Sequence, residues 1–456
     1  MPKLPPLVSG ALPWVGHVPQ FMRDRDALLR RGFEQHGEVF CVRLPNPVAV
    51  IAGSQLNRWF YSETDRSLNM SKPYEFLKAA LGEVLLTAPK ERYDEQRPLL
   101  KVIFSNERMR GYTDAMNKEV DHWLSSLGDH GEVDISLAMR RLTQYVAGHA
   151  FLGPDFRNEL GEEFWDAYAD IGHSLDPVIP PHWPLPKFRR RDKAKATLQR
   201  ILGPACERRR RTPGAYDDVL SILVNTPLLD GRVLEQDLVV KLWMGLLFAG
   251  HETTAGQAAW SVILTLQHDA VRRQLEASVR ALPDGEPLGP KQLRALEFAY
   301  GIVDETTRLR PSADLQLRIA EEPVEVAGFH IPKGWRVMVS GAVSHFLDRQ
   351  FSHPDRFDPD RFSDARGEGN DPYAMVGFGG GRHKCTGMSF ARNEMVVILA
   401  KLFGKFDLEL ITKRPVVVSG VGANRPSPAY VRYQRSPARP QVMAGASTLQ
   451  PTVRAR

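Results

Sequence analysis

The stretch Phe378-Gly379-Gly380-Gly381-Arg382-His383-Lys384-Cys385-Thr386-Gly387 decides how this chain is read. It is a glycine-rich loop with one cysteine near its end. The run that follows, residues 388–403, places apolar residues at Phe390, Ala391, Met395, Ile398, Leu399 and Leu402. That three- and four-residue spacing predicts a helix. Cys385 therefore precedes a helix N-terminus, where the helix dipole and unpaired N–H groups favour a thiolate. Three consecutive glycines let the backbone pass close to something flat and bulky. Two readings stand: a buried free thiol, the common fate of a lone cysteine, or an axial thiolate ligand to haem iron. The cysteine alone favours the first, and the whole constellation favours the second.

Working outward from the loop, three further stretches carry chemistry. Ala249-Gly250-His251-Glu252-Thr253-Thr254 lies inside a helical run predicted over residues 235–268. Gly250 costs a helix about 1 kcal/mol against alanine, and threonine hydroxyls compete for backbone carbonyls. A helix that accepts this is either a solvated kink or one that makes room for a ligand. An acid followed by an alcohol also makes a proton relay. Glu305-Thr306-Thr307-Arg308 puts an acid and a base on one helix face, with Pro311 ending the helix. A pair at that spacing is ordinarily a surface ion pair of little worth. Pro359-Asp360-Arg361-Phe362 supplies a second arginine, which joins Glu305 and Arg308 in a buried network on the functional reading.

The bulk properties bound the class. Of 456 residues, 43% are hydrophobic and 25% charged, which is ordinary for a globular protein. The three cysteines, Cys41, Cys206 and Cys385, are too few and too scattered for a disulfide framework or a zinc site. The formal charge of +6 suits an acidic protein partner or simply solubility. No nucleic-acid motif accompanies it, so nucleic acid is not expected as a partner. Prolines break the first residues, and the longest apolar run, residues 243–249, falls far short of the ~18 residues that span a bilayer. The expectation is a soluble, cytoplasmic protein without a transmembrane segment.

Along the chain, a helical patch is predicted over residues 21–35. A β-hairpin follows, with residues 38–44 and 48–51 flanking a turn at Pro45-Asn46-Pro47. Residues 54–310 read as mostly helical. Short strands return at residues 324–326 and 337–340, separated by Pro332-Lys333-Gly334. The last residues, 436–456, are rich in Pro, Ser, Ala and Arg and read as a disordered tail. The expected fold class is mainly α with a minor β portion, in one domain over residues 1–435.

Taken in order, the threonine-bearing helix, Glu-x-x-Arg, Pro-x-Arg-Phe and Phe-x-x-Gly-x-His-x-Cys-x-Gly resemble the cytochrome P450 family of haem-thiolate monooxygenases. The likeness runs from the proline-rich start to about residue 435. It implies the cytochrome P450 fold, with haem b between the long central helix and the cysteine loop. It also implies residue roles: Cys385 as iron ligand, Phe378 shielding its sulfur, and Gly381 and Gly387 allowing a tight loop and close haem approach. Glu252 and Thr253 match the catalytic acid–alcohol pair. Glu305, Arg308 and Arg361 match a structural triad. His383, Arg318, Arg97 and Tyr74 match groups that hold the haem propionates.

Within the family, the chain is most similar in pattern to the soluble bacterial sterol 14α-demethylase-like group. The likeness lies in Pro73-Tyr74-Glu75-Phe76-Leu77, in Leu175-Asp176-Pro177 with residues 185–192, and in the spacing from Arg310 to Arg318. Glu252 departs from that group's histidine, and Lys78-Ala79-Ala80-Leu81-Gly82 replaces its Pro-x-Phe-Gly pattern. The implied activity is hydroxylation or epoxidation of a bulky apolar substrate (terpenoid, steroid or polyketide) by dioxygen. Phe76, Leu77, Leu246, Ala249 and Leu315 are candidate pocket residues, each equally at home in a core. No flavin or nicotinamide fingerprint is present, so a ferredoxin or flavodoxin must deliver electrons, docking on a basic face that includes Arg382 and Lys384. The arginines of residues 189–191 are a solvated face or a weak peripheral membrane contact. Sterol-type demethylation with C–C cleavage, peroxide-driven oxygenation and a haem sensor or ligand carrier are the alternatives.

Overall fold

In a computed structural model, residues 3–283, 287–420 and 422–437 are described; the predicted tail beyond residue 437 lies outside them. The molecule is built around one helix, Gln236–Gln267, of 32 residues. It is about 48 Å long. Its apolar residues point in every direction, which is the pattern of a helix buried on all sides. Helices Ile135–Leu152, Pro186–Arg211, Val219–Asn225, Glu297–Leu309 and Met388–Lys405 pack around it. The helix is continuous through Gly250 to Thr254.

The larger sheet has five strands in the order Val39–Leu44, Asn46–Ile51, Arg336–Ser340, Leu315–Ala320, Leu68–Asn69. Its first hairpin is tighter than the prolines suggest, because Leu44 pairs with Asn46 and Arg43 with Pro47. Pro47 has no N–H to donate and is still tolerated within the strand. Strand Arg336–Ser340 runs parallel to Asn46–Ile51, with Val48 opposite Arg336. Residues 324–326 do not pair with it. They form a separate hairpin with Phe329–Ile331. A parallel pair needs a long crossover, and here nearly the whole helical body supplies it. A second sheet, His130–Asp134, Tyr430–Arg435 and Phe406–Leu410, ties the C-terminal strands to the helical body. The N-terminal helix Val18–His36 is longer than predicted and is broken at Asp24, whose Oδ1 accepts the N–H of Ala27 and restarts it. Among the described residues, no helix is long and apolar enough to cross a membrane.

Candidate active site

Helix Glu297–Leu309 brings Glu305 and Arg308 inward, both fully buried. Arg308 donates from Nε to Glu305 Oε2 at 2.7 Å and from Nη2 to Oε1 at 2.8 Å. Arg361 donates from Nε to the same Oε1 at 3.0 Å. Asp358 adds its backbone N–H to that oxygen. Glu368, which the sequence reading missed, accepts from Arg361 Nη1 at 2.6 Å. Burial opposes the charge on Glu368, yet hydrogen bonds from Arg366, Ser352 and Arg361 hold its carboxyl down to about 2. Two buried arginines thus face two carboxylates, and the remaining N–H groups reach the carbonyls of His345, Ser352 and Arg356.

His345, also unforeseen, connects this network to the cysteine loop. Its Nδ1 donates to the Arg308 carbonyl and its Nε2 accepts the N–H of Val376, each at 2.8 Å. The Val376 carbonyl then accepts the N–H of Gly379, and Cys385 donates its N–H to the Phe378 carbonyl at 2.8 Å. The loop is therefore closed at both ends before Cys385 meets helix Met388–Lys405. Gly379 and Gly381 sit at φ 69° and 60°, where glycine is favoured. The flat, bulky object beside the glycines is a protein ring. A Cβ on Gly380 would come within 2.5 Å of Tyr61, on helix Ser54–Glu63. Gly387 is different: a Cβ there would meet only Phe104, at 3.6 Å.

Cys41 and Cys206 are buried, and burial pushes their thiols up to about 11. Cys385 is the exposed cysteine, yet protein atoms surround it closely enough that burial pushes its thiol up as well. The Gly387 N–H and the charge of Lys384 oppose that shift. In the protein chain alone, burial is the larger influence on this thiol. The sulfur is thus both reachable and enclosed. The central helix has an uncovered stretch of its own. Amid its buried residues Ala249 is exposed, with Phe248, Gly250, Glu252 and Thr253 only partly covered. A chain of rings links this stretch to the cysteine loop: Phe151 lies 3.9 Å from the Cβ position of Gly250, its ring is 5.8 Å from that of Phe390, and Phe390 neighbours Phe104, the residue nearest Gly387.

Glu252 and Thr253 do not touch each other. Glu252 Oε1 pairs with Arg140 Nη2 at 2.9 Å, and Thr253 Oγ1 donates to the Ala249 carbonyl at 2.6 Å. Tyr168 and the Arg140 carbonyl bind the two ring nitrogens of His251, whose pKa burial lowers.

The four expected anion anchors form two groups. Arg318 is buried with no carboxylate at ion-pair distance among the described residues. Thr64 Oγ1, the Leu317 carbonyl and the Tyr74 side chain are its partners, and burial pulls its pKa down. Tyr74 also accepts the N–H of Leu317 at 3.2 Å. His383 and Arg97 gather around Tyr93, and Asp65 lies close enough to act on both His383 and Arg318. The His383 ring stacks on Tyr93 at 4.1 Å, and Arg97 bonds the Tyr93 side chain. His383 Nε2 is committed to Asp65 at 2.6 Å, a carboxylate that the sequence reading did not foresee. Of the candidate pocket residues, Leu77 and Leu246 are core, Phe76 and Leu315 are partly buried against core, and only Ala249 is exposed.

The sequence model of the cytochrome P450 family matches residues 5–430. The chain belongs to the cytochrome P450 family. Its relatives include the sterol 14α-demethylase of Mycolicibacterium vanbaalenii, 30% identical over 443 residues that span 94% of this chain and 98% of the relative. The lanosterol 14α-demethylase of Bos taurus is also 30% identical, spanning 95% and 88%. Among solved structures, retinoic acid bound cyanobacterial CYP120A1 superposes with a TM-score of 0.83 at 27% identity, covering 96% of this chain and all of that one. As a P450, the protein is a haem-thiolate monooxygenase of apolar substrates, with haem b as its prosthetic group. The residues present fit that group. A reachable sulfur, loosely contacted glycines at Gly387 and Gly250, and a buried guanidinium with no carboxylate at ion-pair distance among the described residues suit an iron porphyrin with acidic side chains. A cavity of about 380 Å³ lies at the far end of the central helix around His268, Arg310 and Phe357 and uses none of these residues.

Proposed function

We propose that this P450 hydroxylates or epoxidises a bulky terpenoid, steroid or polyketide, using Cys385 as iron ligand and Glu252 and Thr253 as the proton path. The observation that carries the reading is Cys385 itself: exposed, enclosed, and tied through His345 to the buried arginine network. When bound, haem supplies the activation of dioxygen. The chain's own residues do the rest. Arg318, Tyr74, Arg97 and His383 would hold the propionates. Phe378 covers the sulfur, and Gly381 and Gly387 keep the backbone close. Glu252 leaves Arg140, takes a proton from solvent and passes it to Thr253 Oγ1, which gives up its bond to the Ala249 carbonyl and donates to the substrate dioxygen. Glu305, Arg308 and Arg361 hold the loop in place without touching substrate.

Residues 1–435 act as one catalytic domain in the cytoplasm, and a ferredoxin or flavodoxin docks beside Arg382 and Lys384. The sterol and lanosterol demethylases among the relatives favour a second reading, successive oxidation ending in C–C cleavage. The test is the carbon monoxide spectrum of the reduced protein. Thiolate ligation gives a red-shifted Soret band that Cys385→Ala must lose with haem still bound; its persistence would refute the assignment. Product mass then separates the readings: one added oxygen, or loss of one carbon.

A further inference from the structure

A cavity of about 240 Å³ opens between helices Glu75–Leu81, Glu162–His173, Pro186–Arg211 and the N-terminal half of the central helix. Its floor is apolar: Leu81, Ile171, Val240 and Met244. Two lysines, Lys195 and Lys241, stand in it. Lys241 is paired with Asp237. Lys195 is not paired: its Nζ donates to the Ala79 carbonyl at 3.1 Å, and no carboxylate lies within ion-pair distance among the described residues. Burial pulls its pKa down, Asp192 and Asp237 push it up, and Lys241 and Arg191 add to the lowering. A half-buried ammonium beside apolar surface, satisfied only by a carbonyl, is short of negative charge.

The central helix runs from this cavity to the active site. Leu81 lies one turn beyond Leu77, and Met244 one turn before Phe248, which adjoins the exposed Ala249. We propose that this cavity is the outer end of the substrate site and that Lys195 binds a carboxylate on the substrate. The inference rests on the role proposed for Thr253, and it narrows the substrate to an apolar molecule acidic at one end. Met244 and Thr253 are separated by about 14 Å along the helix axis. The acid and the oxidised carbon must therefore be far apart, on an extended body.

The test titrates the holoenzyme with a diterpene acid and a long-chain fatty acid, each against its methyl ester and its alcohol. Binding is read by equilibrium dialysis and by the spin-state absorbance shift. A charge-assisted hydrogen bond at a half-buried site predicts that the acids bind about tenfold tighter than their esters. Lys195→Gln must erase that preference and Lys195→Arg must retain it. A purely structural role for Lys195, capping the carbonyl of Ala79, would change the melting temperature and leave the acid-to-ester ratio alone. Equal binding of acid and ester, failure of every acid to bind, or a preference surviving in Lys195→Gln overturns the proposal. Dialysis reads binding whatever the iron ligand is, so a missing thiolate band would refute the Cys385 assignment separately.

Discussion

At the scale of the residue, Thr253 and His345 are the instructive pair. The Thr253 hydroxyl is bonded to a carbonyl of its own helix, so removing it costs that helix nothing that alanine's better propensity does not return. Thr253→Ala should therefore melt like the parent. Its product yield should fall by roughly tenfold or more while electron use continues and peroxide accumulates. Oxygen uptake, peroxide release and product measured together check this, and unchanged coupling would remove Thr253 from the proton path. His345 predicts a pH dependence. Burial pulls its pKa down to about 4, and its Nε2 must stay unprotonated to accept from Val376. In the unfolded chain it titrates near its ordinary 6.5. Its contribution to stability is present above that pH and is lost as pH falls toward 4, by roughly 3 kcal/mol at full extent. Urea unfolding at pH 7 and pH 4.5 should show a smaller acid loss for His345→Gln than for the parent.

At the scale of the element, the cysteine loop is shaped as much by helix Ser54–Glu63 as by its own glycines. Tyr61 is buried against the loop and donates to Gln316 Oε1 at 3.0 Å. A methyl group on Gly380 would collide with its ring. Gly380→Ala should cost about 1–3 kcal/mol by overpacking. Tyr61→Ser in the same chain should recover part of that, and a double-mutant cycle by urea unfolding reads the coupling. Additive effects would mean that loop and ring do not meet. The central helix shows the same economy at Gly256, where a Cβ would stand 2.4 Å from the carbonyl oxygen of Asn424. Its small residues let chain from the C-terminal end approach the helix closely there.

At the scale of the whole molecule, the buried network of Glu305, Arg308, Arg361 and Glu368 joins the central helical body to the segment that leads into the cysteine loop. Removing one partner strands a buried charge. Arg361→Met should cost about 3–5 kcal/mol and release haem on mild denaturation. The Soret absorbance and the backbone signal followed through a urea titration check this. If both transitions match those of the parent, the network does not hold the loop. The sheet closes the molecule from its two ends, since Asn46–Ile51 lies beside Arg336–Ser340.

The sequence by itself determined the residues whose identity is their meaning: Cys385 in its glycine-rich loop, the long apolar helix through Thr253, and Glu305, Arg308 and Arg361 in order. Local spacing records these because helical period and loop chemistry are written within a few residues. Only the tertiary structure decided that Asp65 faces His383, that Arg140 holds Glu252, that His345 ties the network to the loop, and that the glycines accommodate Tyr61. Each of these joins positions far apart along the chain, and no periodic pattern encodes which distant side chain will be brought near. The Cys385 thiol makes the same point from the other direction. Its place before a helix N-terminus is legible in sequence, whereas the burial that raises its pKa comes from surfaces that meet only when the chain has folded.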